Sequence, residues 1–178
     1  MPDISADIVT ISHNHYDHNK TEVIKGSPKI IKTNGIFEEK NIKIKGIISS
    51  HGFVLGKNII YIYTIDNLKV CHLGDLGNSL DEKQLSEIGN VDILITPIGG
   101  GGMVLNYKKA IECVDKLKPK ITIPMHYKTR MISKQFFALA NDKKFIRDTK
   151  AIYSNKQKIE LNKNTIKDYN SFLIMNYN

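Results

Sequence analysis

The chain has 178 residues, 41% of them hydrophobic and 25% charged, the proportions of an ordinary globular protein large enough to bury one core. No apolar run approaches the roughly 18 residues that a membrane span needs, which argues against a membrane protein. The formal charge of +8 invites a nucleic-acid partner, but only Arg130 and Arg147 among the 26 basic residues are arginines and the lysines form no block, so none is expected.

Cys71 and Cys113 are too few for a disulfide scaffold and read as small buried hydrophobes of a reducing compartment. Met1 to Asp7 lacks the basic and apolar regions of a signal peptide, so a cytoplasmic location is expected. No repeat or Pro/Gly/Ser linker divides the sequence, and one domain over 1–178 is expected.

Ile8 to Ile11 is short, β-branched and followed at once by a histidine cluster, the pattern of a buried strand that delivers the cluster from its end. Ile42 to Ser50 alternates Ile and Lys at its start and predicts a strand with one wet face. Asn58 to Ile65 is β-rich on both faces, and Asp66-Asn67 predicts a hairpin turn into Leu68 to Leu73. Ser79-Leu80-Asp81-Glu82 has capping-box spacing, which predicts a helix stopped by Gly89. Val91 to Thr96 is a strand ending at Pro97, followed by a glycine run from Gly99 to Gly102. Tyr107, Ala110, Ile111, Val114 and Leu117 recur at helical spacing until Pro119. Ile121 to Ile123 predicts a strand and Ser133 to Asn141 a helix. Ala151 to Tyr153, Lys158 to Leu161 and Phe172 to Met175 are further strand candidates. Strands dominate the first half and alternate with helices in the second, so the class is α/β.

Five of the six histidines stand just past an apolar run: His13, His15 and His18 after Ile8 to Ile11, His51 after Ile47-Ile48, and His126 after Ile121 to Ile123. Functional groups gather at strand ends, where a rigid sheet aims a loop. Three histidines and Asp17 within six residues would need many hydrogen-bond partners if buried alone, whereas neutral imidazole and carboxylate are the usual ligands of zinc.

The run Thr10 to His18 resembles the signature of the metallo-β-lactamase superfamily. The similarity continues through Ser49-Ser50-His51-Gly52, Leu73-Gly74-Asp75-Leu76-Gly77, Pro97-Ile98-Gly99-Gly100, Leu117-Lys118-Pro119-Lys120 and Ile123-Pro124-Met125-His126-Tyr127, covering about residues 4 to 128. The nearest branch is that of small bacterial and archaeal metal-dependent hydrolases beside the ascorbate-6-phosphate lactonases. The resemblance implies an αββα sandwich of two sheets between helices. It also implies two divalent ions, zinc or in its place manganese or iron. His13, His15 and His51 would hold one ion, Asp17, His18 and His126 the other, and Asp75 would bridge them.

Such a centre can lower the pKa of a shared water from about 16 to near 7, for attack on an ester, lactone, amide or phosphodiester bond of a small-molecule substrate. Asp17, Asp75 and His72 are the catalytic candidates, with His72 either orienting Asp75 or protonating a leaving group. Gly100, Gly101 and Tyr127 are candidate substrate contacts, the glycines through backbone amides near a helix start. Only twelve residues precede His13, fewer than the family usually carries, so the N-terminal strands of the sandwich are expected to be lacking. Their loss would expose a sheet edge and favour a homo-oligomer. A nuclease of the same superfamily and a non-catalytic metal-binding remnant are the alternatives.

Overall fold

The computed structural model describes residues 4–52, 55–132 and 138–176. Strands β1 (Ile4–Ser5), β2 (Ile8–Thr10), β3 (Ile24–Lys25) and β4 (Lys29–Ile31) are short, and they pair in parallel as β1 with β3 and β2 with β4. The main sheet holds β5 (Gly35–Glu39), β6 (Ile42–Ser50), β7 (Lys57–Ile65), β8 (Leu68–His72), β9 (Ile93–Pro97) and β10 (Ile121–Met125) in the order β10-β9-β8-β7-β6-β5.

Strands β5 to β8 form an antiparallel meander, and Asp66 and Asn67 turn β7 into β8 with φ of 49° and 60°, the left-handed pair of a tight hairpin. Beyond β8 the pairing is parallel, with α1 (Glu82–Ile88) and α2 (Tyr107–Leu117) as the crossovers. Strands β6, β8, β9 and β10 therefore run in one direction, and the residues after their C-terminal ends meet at one end of the sheet.

Helices α1 and α2 cover one face, where Ile88, Cys113, Val114 and Leu117 join Ile62, Cys71 and Leu94 in one apolar cluster. On other clusters of the sheet, Ile31 of β4 packs with Ile44 and Tyr61, while Ile166 and Leu173 pack with Leu68, Ile93 and Ile121. Tyr61 ties this layer down further by donating its hydroxyl to the Ile31 carbonyl, at 3.1 Å. The C-terminal part supplies α3 (Lys143–Thr149), which packs on α2 through Phe145, and the parallel pair β11 (Ile152–Tyr153) and β12 (Leu173–Ile174).

Several details differ from expectation. Helix α1 starts two residues late for a Ser79 cap, because Asp81 is the residue that accepts from the Gln84 amide while the Gln84 side chain returns the bond. The helix expected over Ser133 to Asn141 lies outside the described residues at 133–137, and 138–141 are not helical. Lys158 to Leu161 pairs with no strand among the described residues, whereas β4, β5 and α3 form without having been predicted.

Candidate metal centre

The loops at the sheet end converge on one carboxylate. Asp75, only 4% exposed, places its Oδ2 3.1 Å from His51 Nε2, 3.1 Å from His126 Nε2, and 3.7 Å from both His13 Nε2 and His18 Nε2. His13, His15 and His51 form one group whose ligand atoms lie within 4.8 Å of one another, and His13, His18 and Asp75 form a second. Asp17 joins through His18, 3.6 Å from its Nε2. The structure thus brings His13, His15, Asp17, His18, His51, Asp75 and His126 to one place from four separate loops.

Backbone geometry sets these side chains. His126 has φ of 49°, an uncommon conformation for a residue with a Cβ. It is held where Gly99 passes close to its carbonyl: a Cβ on Gly99 would fall well inside contact distance of the His126 oxygen and 2.8 Å from Leu139 Cδ2. Gly77 plays the same part for His51, since a Cβ there would lie 2.6 Å from the Gly52 Cα and 2.9 Å from the His51 carbonyl carbon. The glycine run therefore has a packing role at Gly99, and its loop is closed on itself by bonds from Gly100 N to the Leu105 oxygen and from Met103 N and Val104 N to the Gly100 oxygen. Gly100 is buried and Gly101 exposed. Tyr127, 7% exposed, packs with Ile98, Ala110 and Phe145.

His72 sits between Tyr61 and Ile95 in the sheet register, and its Nδ1 accepts the Gly74 amide at 3.0 Å. Burial lowers its pKa, so the ring is held neutral with its proton on Nε2. It anchors the turn that carries Asp75.

Burial pushes His13 down to about 4, outweighing the opposing charge of Asp75, and His18, His51 and His15 push the same way. Burial alone would raise Asp75, but the hydrogen bond and charge of His126, with His18 and His13, hold it down at about 2. Burial also works against a charged His126, yet the hydrogen bond and charge of Asp75 raise its pKa. His13 is thus neutral and Asp75 ionised near pH 7, the states in which each ligates a cation. His13 Nε2, which faces Asp75, is buried with no hydrogen-bond partner among the described residues. An orphaned buried group costs about 1–3 kcal/mol, and a cation held by this nitrogen would relieve that cost. The residues fit a metal.

The signs of these shifts give a test on chelator-stripped protein. His13 contributes stability that is complete above its unfolded pKa of 6.5 and is lost as the pH falls towards 4. Asp75 adds a second loss between 3.8 and about 2, while the raised His126 contributes stability that is fully present below 6.5 and is lost only as pH rises through its folded pKa. Stability against denaturant should therefore fall from pH 6.5 to 4 by up to about 3 kcal/mol. His13→Asn should flatten that slope, and a parent with constant stability over the interval would refute it.

Sequence comparison decides the family. The pattern described as "Beta-lactamase superfamily domain" matches residues 1–126, ending on His126. The chain belongs to the β-lactamase superfamily. Among its relatives in the superfamily, a "UPF0173 metal-dependent hydrolase" of Carboxydothermus hydrogenoformans is 29% identical over 157 residues, 71% of this chain and 69% of that protein. Another of Thermoplasma volcanium is 30% identical, covering 71% of this chain and 68% of that protein. A crystal structure from Thermotoga maritima, whose name assigns it to the zinc-dependent hydrolases of the metallo-β-lactamase superfamily, superposes with a TM-score of 0.82 at 34% identity. It covers 98% of this chain and 84% of the other. The superfamily fold expected from the motif series is the one observed.

Proposed function

We propose that this metal-dependent hydrolase works through a dinuclear centre, with His13, His15 and His51 holding one ion and Asp17, His18 and His126 the other. Asp75 would be a ligand to both. The observation that carries the proposal is the single carboxylate oxygen of Asp75 shared by four imidazoles, two of them at 3.1 Å and two at 3.7 Å. Two divalent ions, zinc or in its place manganese or iron, would supply Lewis acidity and a water acidic enough to attack at neutral pH.

The chain's own groups do the positioning. His13 ligates without first losing a proton, and Asp75 stays ionised through the physiological range. His72, with Nδ1 engaged by Gly74, holds the Asp75 turn and keeps its remaining proton on Nε2. Substrate contact falls to the exposed Gly101 rather than to the buried Gly100 and Tyr127. A cavity of about 730 Å³ opens beside His13 and His15, with Ile11, Ile48, Ile59 and Lys57 among its walls, a size suited to a small molecule. An ester, lactone, amide or phosphodiester is the bond class that such a centre cleaves.

Elemental analysis of protein reconstituted with zinc, manganese or iron tests the centre. About two ions per chain are expected, and fewer than one would overturn it. Generic lactone, phosphodiester and β-lactam substrates then test turnover, with His126→Ala expected to abolish any rate the parent shows. Equal rates would mean that the activity belongs elsewhere.

A further inference from the structure

We infer that Asn58 and Ser12 are positioning residues which together hold Asp75 and His13 in place to ligate, an inference that rests on the metal-centre reading above. Asn58 lies inside β7, where asparagine is disfavoured, and it is fully buried. Its amide is nonetheless satisfied on both sides. Nδ2 donates to the Leu73 carbonyl at 2.8 Å and to Ser49 Oγ at 2.7 Å, and Oδ1 accepts the backbone amide of Asp75 at 2.9 Å. The partners fix which way the amide points, because a carbonyl only accepts and an N–H only donates.

Its position explains the choice of residue. Strand β8 ends at His72, so the Asp75 amide lies past the ladder, and Asn58 supplies the acceptor that the neighbouring strand would otherwise give. The next residue of β7, Ile59, donates its amide to the Ser12 carbonyl at 2.8 Å. Ser12 Oγ in turn bonds His13 Nδ1 at 2.9 Å, leaving Nε2 as the ring atom near Asp75. Gly74 leaves room for both side chains: a Cβ there would collide with Asn58 Oδ1 and lie 2.9 Å from Ser12 Cβ. Two adjacent residues of one rigid strand thereby set the orientation of two ligands that come from different loops. Partners that orient ligands in this way are worth about 10- to 100-fold in metal affinity.

Cobalt binding to the full chain, read by chelator competition and by the visible spectrum of the bound ion, tests this without recourse to turnover. Asn58→Ala and Ser12→Ala should each bind cobalt about 10- to 100-fold more weakly than the parent, with an altered spectrum. Ser49→Ala removes a buried bond from the same amide but leaves its contacts with Leu73 and Asp75. It should melt at a lower temperature yet keep the parental spectrum and an affinity within about 3-fold, a factor worth less than 1 kcal/mol. Parental affinity and spectrum in Asn58→Ala and Ser12→Ala overturn the inference, and so does an equal loss in Ser49→Ala, which would make the effect one of packing. If Asn58→Ala fails to fold, Ser12→Ala, which deletes one hydroxyl, decides by the same criterion. A parent that binds no cobalt overturns the metal centre itself, an outcome distinct from all of these.

Discussion

Asp75→Asn should leave the protein folded and strip it of its metal. The substitution keeps the shape of the side chain but removes an anion that His13, His18, His51 and His126 all face within 3.7 Å. Burial disfavours that charge, and the carboxyl is nevertheless held down at about 2, so the histidines around it stabilise the anion by more than burial costs. An amide gives the cluster no compensating charge, and it is a poor ligand beside a carboxylate. Hydrolysis by the reconstituted variant should fall by about 1,000-fold or more, equivalent to about 4 kcal/mol in the barrier. Elemental analysis and far-ultraviolet circular dichroism on the same sample check it. A variant with the parental fold, metal content and rate would remove Asp75 from the centre.

The parts of this site that sequence makes legible are those whose chemistry is rare. Three histidines and an aspartate between His13 and His18 announce themselves, and the order of His51, Asp75 and His126 along the chain completes the set. The strands that aim them were legible too, because β2, β6 and β10 are β-branched runs with clear ends. Weaker elements failed for physical reasons. β5 is an edge strand whose Ile36 is 81% exposed and whose half-buried side, Gly35, Phe37 and Glu39, carries one apolar side chain, too little for a pattern to detect. Helix α3 has Asp142 before it without a capping bond, and only Phe145 is buried along it. Asn58 carried no signal, since its role depends on Ser49, Leu73 and Asp75 meeting in space. Gly99 carried no signal of its packing role either. In a run of four glycines the sequence offers backbone amides at Gly100 and Gly101 to a substrate, and only the fold shows a backbone passing where a Gly99 side chain would be.

That difference makes Gly99→Ala the most informative change away from the ligands. The obstacle to a Cβ is the His126 carbonyl, backbone that cannot rotate aside as a side-chain tip can. Overpacking of this kind costs about 1–3 kcal/mol in stability, and here the strain lands on a ligand already at φ of 49°. His126 and its loop should shift away from Asp75, so Gly99→Ala should bind metal at least about 10-fold more weakly and melt at a lower temperature. Gly102→Ala is the matched control. Its φ of 76° makes alanine strained by about 1–2 kcal/mol, but nothing lies within 4 Å of the added carbon. It should therefore lose stability and keep the parental metal affinity. Chelator competition and thermal melts on the two variants separate the effects. Equal metal affinity in both would show that His126 is positioned by something other than Gly99, whereas loss in Gly102→Ala alone would return the glycine run to the role of a ligand-binding loop.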